Sequence, residues 1–239
     1  MGKVLYEDCK MVTLNAPYVA GFLGFREAPP LLQALEKLKN VQPNLMPQVL
    51  FVDGNGLFHY REFGLACHLG VLSDLPCVGV AKNLLHVEGV VRSEEHQSQI
   101  NALQKSGDSF PLATTSGRVL GKALRSSHSS IKPVYVSVGH RITLDTAVRL
   151  THTCCLYRVP EPIRQVIVAT RSSLYPDQMV TAVTRIQYVS RPDGGSASRK
   201  DLYSPERQRR PGQLDEPQIQ TPCKGLVSDD HWDKTTGTC

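Results

Sequence analysis

Four consecutive apolar residues, Val49-Leu50-Phe51-Val52, lie between Pro47 and an Asp53-Gly54 turn signal, and no other short stretch limits the fold so tightly. A strand with one wet face alternates apolar and polar residues. A run without alternation needs cover on both faces, as in a parallel or mixed sheet with helices on either side. Cys77-Val78-Gly79-Val80-Ala81 has the same character and stops at Lys82; Val134 to Val138, apolar apart from Ser137, reads as a further strand that stops at Gly139-His140. Val119 to Leu124 reads as another strand, Val4 to Tyr6 as a short one and Met11 to Leu14 as a β-like stretch. Residues 29–40 place Leu31, Leu32, Leu35 and Leu38 at helical spacing, with Pro29 or Pro30 suited to a first turn and Glu27 just ahead of it. Residues 63–73 read as a helix in which Gly64, Ala66 and Gly70 allow close packing. Thr143 suits the N-cap of a last helix, with Asp145 in its first turn and Leu144, Ala147, Val148 and Cys155 turned inward. The expected class is α/β, a mixed central sheet flanked by helices.

That patterning fades beyond about Arg164. Residues 190–239 are rich in Arg, Pro, Gly, Ser, Asp and Gln, and they carry too little apolar surface to offset the entropy of ordering them. The expected organisation is one domain over residues 1–165 and a mostly disordered tail over 166–239, in which Val166 to Val168 and Met179 to Val183 could form local structure. A chain of 239 residues, 41% apolar and 21% charged, suffices for one sizeable core. The formal net charge of +5 fits a polyanionic partner without requiring one. Seven cysteines, an odd number without CxxC spacing, read as reduced thiols and point to a cytoplasmic or nuclear protein. No run reaches the length of a membrane span and the N-terminus lacks a secretory signal pattern, so no membrane partner is expected.

Three apolar strands thus end in a polar group, at Asp53, Lys82 and His140. Ligands of open α/β sheets gather outside the carboxyl ends of strands, so these three groups are expected to converge on one site. The competing reading is that each merely caps a strand or opens a turn. Gly54-Asn55-Gly56 lets the backbone turn sharply after Asp53, whose carboxylate can hold a hard cation, and Glu27 could supply a second oxygen ligand. Mg²⁺ suits so sparse an acidic set, because it keeps several waters and takes one or two carboxylates plus phosphate oxygens. Facing a phosphodiester, Lys82 would act as a point charge and His140 as a phosphate donor or proton carrier. His59, His68 and His86 raise the question of zinc, but their spacing with the cysteines matches no usual zinc pattern.

Pro17-Tyr18-Val19-Ala20-Gly21-Phe22-Leu23-Gly24-Phe25-Arg26-Glu27 resembles the wedge motif and second metal-binding acid of the endonuclease V family. Val52 to Gly56, with His59, Arg61, Gly64, Ala66, His68, Leu69 and Gly70, resembles the longest motif of that family. Gly79 to Lys82, Gly121 to Arg125 and Ser137 to His140 follow in the family's order, so the resemblance covers roughly residues 3 to 165. It implies an RNase H-like fold with a divalent metal at the carboxyl edge of the sheet, Mg²⁺ with Mn²⁺ as the alternative. It also implies an endonuclease that hydrolyses the second phosphodiester 3′ to inosine, the product of adenosine deamination. Animal members act mainly on single-stranded RNA, and deaminated DNA is the further partner; the location implied is cytoplasmic and nuclear, the nucleolus included.

On this resemblance Glu27 and Asp53 fall at metal-ligand positions, Lys82 and His140 at active-site positions, and Tyr18 at the wedge aromatic. Gly21, Leu23, Gly54, Gly56, Gly64 and Leu85 fall where the family lines its base pocket, and His59 joins that base-binding set. An extruded purine needs close backbone approach, apolar walls and an aromatic to replace lost stacking. Family members also carry two strands and a metal-binding aspartate ahead of the strand that opens this chain. The expectation is therefore a sheet lacking those first two strands, weaker metal binding and reduced activity. A second reading is a catalytically silent protein that binds inosine-containing strands; protein partners are left open.

Overall fold

The structure, a computed structural model, describes residues 4–8, 12, 17, 19 and 21–165. Tyr18, the expected wedge aromatic, and the tail after Gln165 lie outside the described residues, as does Met11–Leu14 apart from Val12. The elements are α1 (Leu23–Val41), β1 (Leu50–Asp53), α2 (Leu65–Ser73), β2 (Cys77–Ala81), α3 (Glu94–Ala102), β3 (Ser109–Ala113), β4 (Val119–Leu124), β5 (Val134–His140) and α4 (Leu144–Thr153). The strands form one sheet in the order β1-β2-β5-β4-β3, parallel between β1 and β2 and antiparallel elsewhere. A mixed sheet flanked by helices is the architecture expected.

All five residues of β2 are buried, which the unbroken apolar run demands. Successive side chains leave opposite faces of the sheet, so the strand contributes to two cores. Cys77 joins Leu50, Val52, Ala28, Leu35, Leu38 and Leu69 beneath α1 and α2. Val78 and Val80 join Val134, Val136, Leu124 and Ala147 beneath α4. Phe58, Leu112, Leu120, Ala123 and Tyr135 form a third cluster toward the β3 edge. The thiols of Cys67 and Cys77 lie in the core and burial pushes them up to about 11 and about 12, so both are protonated and unreactive.

The structure departs from the sequence expectations at several element boundaries. α1 begins at Leu23, six residues before the expected start, and Pro29 and Pro30 lie inside it. Neither proline can donate to the carbonyl four residues earlier, which is why the pair reads as a beginning. Packing holds the earlier turns: Ala28 is fully buried, and a Cβ on Gly24 would come within 2.6 Å of the His68 imidazole. Glu27 is consequently within the helix. β5 runs two residues past Val138, with His140 opposite Cys77.

β3 and α3 have no counterpart among those expectations. β3 carries Pro111, which an edge strand tolerates, and α3 buries only His96, so neither shows strong apolar periodicity. The α3 start is nonetheless well signalled, since the Ser93 side chain accepts the His96 amide and Glu94 and Glu95 occupy the first turn. Val4 takes part in a single bridge, while Leu5 and Tyr6 lie outside any strand. Among the described residues no helix is long and apolar enough to cross a membrane.

Phe58 is fully buried whereas Phe25 is 69% exposed. Phe58→Ala should therefore cost about 3–5 kcal/mol of unfolding free energy. Phe25→Ala should change it by no more than about 0.5 kcal/mol. Urea denaturation followed by circular dichroism checks both values.

Candidate active site

β1 and β2 are parallel and in register, with Asp53 opposite Val80, so both chains leave the sheet at the same edge. The Lys82 ammonium donates to Asp53 Oδ2 at 2.8 Å. With side chains 38% and 42% exposed, this pair contributes little to stability, and both groups remain open to a ligand. Glu27 approaches from α1. Its carboxyl is held above the usual carboxylate range, first by burial and then by the negative charge of Asp53, against an opposing pull from Arg26. Two carboxylates that repel each other beside a lysine form a set that a divalent cation would relieve.

Among the described residues no group of three or more His, Cys, Asp or Glu gathers as metal ligands. The oxygen chemistry of Glu27 and Asp53 suits a hard divalent cation that completes its coordination with water. Asn55 Oδ1, two residues past Asp53, is buried without a hydrogen-bond partner, which leaves an acceptor for a ligand donor or cation.

The loop after Asp53 is clamped to the sheet by its backbone. Gly54 N–H donates to the Val80 carbonyl at 3.3 Å, and Leu57 N–H to the Val138 carbonyl at 2.8 Å. Gly56 N–H donates to Ser137 Oγ at 2.8 Å, inside the protein. A Cβ on Gly56 would lie 2.0 Å from the Val138 carbonyl, and one on Gly79 would lie 2.5 Å from Gly56 N. Gly64 closes the loop by donating to the Gly56 carbonyl at 3.0 Å. Gly54 is different, since its missing Cβ would meet Leu65 only at ordinary contact distance, 3.6 Å.

Gly21 and His59 lie close together. A Cβ on Gly21 would lie 3.4 Å from the Tyr60 ring and 3.7 Å from His59 Nε2. His59 is buried, its Nδ1 accepts the Arg61 amide at 3.3 Å, and burial and then Arg61 depress its pKa. It is therefore a neutral imidazole whose proton resides on Nε2, on the Gly21 side. Leu23 opens α1, and Leu85 packs against the Phe58 cluster. His68 lies between phenylalanine rings, and His86 is exposed.

His140 does not join Asp53 and Lys82. β5 is antiparallel to β2, so its carboxyl end lies beside Cys77, at the amino end of β2, and Lys82 is five residues and about 16 Å along the strand. There the His140 ring lies 3.7 Å from Asp74, which also accepts from Arg141 at 2.8 Å. The strand serves the site through its middle residue instead, the buried Ser137 that receives Gly56 N–H. Arg158 was not legible as a site residue. From the loop after α4 its guanidinium donates to the Lys82 carbonyl and, at 3.0 Å, to the Pro133 carbonyl, and so fixes the root of the lysine.

These elements match one known family over most of the described chain. A family model described as Endonuclease V matches residues 1–166. The chain belongs to the endonuclease V family. Endonuclease V of Mus musculus is 59% identical over 169 residues, which are 71% of this chain and 50% of the mouse protein. Endonuclease V of Homo sapiens is 57% identical over 172 residues, 72% of this chain and 61% of the human protein. The chain thus spans between 50% and 61% of the length of these curated relatives. A crystal structure of human ENDOV matches with a TM-score of 0.70 at 57% identity, covering 72% of each chain. Ciona intestinalis endonuclease V, in complex with a 24mer DNA containing an inosine followed by a ribo-adenosine, matches with a TM-score of 0.63 at 41% identity, covering 68% of this chain and 69% of that one. The mixed sheet with flanking helices is the endonuclease V architecture.

The raised pKa of Glu27 has a signed consequence. The folded protein holds the Glu27 proton more tightly than the unfolded chain does, so the stability linked to this group is full below the ordinary carboxylate pKa and lost as pH rises through the folded value. Glu27→Gln should therefore raise the melting temperature at neutral pH in chelator and leave it unchanged in strong acid. Thermal denaturation across pH checks this, and added Mg²⁺ should stabilise the wild type alone.

Proposed function

We propose that this chain hydrolyses a phosphodiester of single-stranded nucleic acid beside inosine, cutting the second bond 3′ to the deaminated base in RNA and also in DNA. The observation that carries the reading is the meeting of Asp53 and Lys82 at one open sheet edge, with Glu27 on α1 near enough to feel the Asp53 charge. Glu27 and Asp53 would hold Mg²⁺, with Mn²⁺ as the alternative, and the cation would polarise the phosphoryl oxygen and acidify a bound water. Lys82 balances the Asp53 charge in the free protein, and its ammonium would stabilise charge developing on a phosphate held at that edge. Arg158 holds the lysine backbone so that the ammonium swings from a fixed root.

Base selection is assigned to the Gly21–His59 side. On this reading an extruded purine would meet backbone at Gly21 and the His59 Nε2–H donor, with Leu23 and Leu85 as its apolar walls, while Gly54, Gly56 and Gly64 shape the loop after Asp53. His140, at the opposite end of β2 from Lys82, is left out of the proposed chemistry. The compartments that follow are cytoplasm and nucleus, the nucleolus included. A second reading has a specific basis, the two-carboxylate set among the described residues: a protein that binds inosine-containing strands without cutting them.

The purified chain, incubated with Mg²⁺ and a labelled single-stranded RNA carrying one inosine, should yield one cut that leaves a 5′-phosphate. Asp53→Ala should abolish the product, and Lys82→Ala should slow it about a hundredfold or more. Inosine-selective binding with no product in either Mg²⁺ or Mn²⁺ would sink the nuclease reading in favour of the silent binder.

A further inference from the structure

Five exposed large apolar side chains crowd onto two short segments that touch each other. Val19, Phe22 and Phe25 are 45%, 43% and 69% exposed on residues 19–25; Tyr60 and Phe63 are 55% and 48% exposed on the loop that follows Asp53. Gly21 lies against Tyr60. The Arg61 guanidinium sits over the Phe22 ring, 4.2 Å from its centroid. Phe25 and Phe63 flank His68, with centroids 4.9 Å and 5.9 Å from the imidazole. The contacts join the rings into one shelf, rooted in the loop that positions Asp53.

We propose that this shelf is a stacking platform for the bases of the single strand that neighbour the cut, with Phe25 and Phe63 as its principal rings. The inference rests on the nuclease reading and adds to it the path of the strand. Every base has an apolar face, so exposed rings hold a strand without reading its sequence. Arg61, which lies over the Phe22 ring, can stack on a base or take a phosphate. Nucleic acid is favoured over a protein partner because the platform is continuous with the Asp53 loop and carries arginine at its centre.

Fluorescence anisotropy with labelled single-stranded oligonucleotides that lack inosine, in chelator and with the full chain, tests the shelf apart from the chemistry. Phe25→Ala and Phe63→Ala should each weaken binding about tenfold, while Ile131→Ala, at a residue 73% exposed elsewhere, should leave it unchanged. Abasic spacers should weaken binding to the wild type by a similar factor and change little further in the variants. Equal affinity of wild type and both variants overturns the proposal, as does equal affinity for abasic and intact strands. Self-association of the wild type, seen by sedimentation and abolished by Phe25→Ala, overturns it in favour of a protein contact. The two readings fail separately: binding that depends on Phe25 without any cleavage of an inosine strand refutes only the nuclease, and cleavage unaltered by either substitution refutes only the shelf.

Discussion

The backbone seat of residues 54–56 on β2 and β5 is the constraint on which the rest of the structure depends. Three chains meet there with no room for side chains, because Gly56 presses on the Val138 carbonyl and Gly79 faces Gly56. The buried amide of Gly56 finds its partner in Ser137 Oγ, without which the close approach would strand a polar group in the core. With the loop pinned, Asp53 has little freedom beyond its own rotamers. Lys82, three residues after Gly79, is then bound to arrive beside it, and the loop's far half carries His59, Tyr60, Arg61 and Phe63 to their places.

Charge at the site follows from this geometry. Asp53 acts on two neighbours with opposite outcomes, pairing with Lys82 and resisting ionisation of Glu27. In a solvent-reachable setting the lysine pair contributes little stability, so its value lies in placing a cation where negative charge gathers. Burial of Glu27 works against its charged form, and an approaching divalent ion reverses the balance by adding an opposite charge. Arg158 acts on the same edge from behind, through the Lys82 carbonyl rather than the ammonium.

Much of this was legible in the sequence, for reasons that can be named. Apolar runs located β1, β2 and β5 because cover on both faces favours apolar residues at every position, the buried Ser137 of β5 being accommodated by the Gly56 amide, and Thr143 marked the start of α4 through its bond to the Thr146 amide. Strand direction was not legible. A run of apolar residues reads the same parallel or antiparallel, so His140 was expected at the edge that Asp53 and Lys82 occupy, and the antiparallel register places it at the other. The start of α1 was hidden because two prolines mimic a first turn, and β3 was hidden because edge position, which excuses Pro111, is a property of the sheet. Arg158 was silent for the same reason: its partners are carbonyls, which no side-chain motif records.

The early start of α1 matters more than a boundary error, because it places Phe25 and Glu27 on one rigid element. Residues two apart on a helix point about 200° from each other. Phe25 accordingly stands in solvent while Glu27 is drawn toward Asp53, and Gly24 between Leu23 and Phe25 lets the helix press against His68. A helix that began at Pro29 would leave both on flexible chain. As built, the exposed Phe25 and the Glu27 that faces Asp53 lie on nearly opposite sides of one helix, so α1 fixes the position of both relative to the sheet edge.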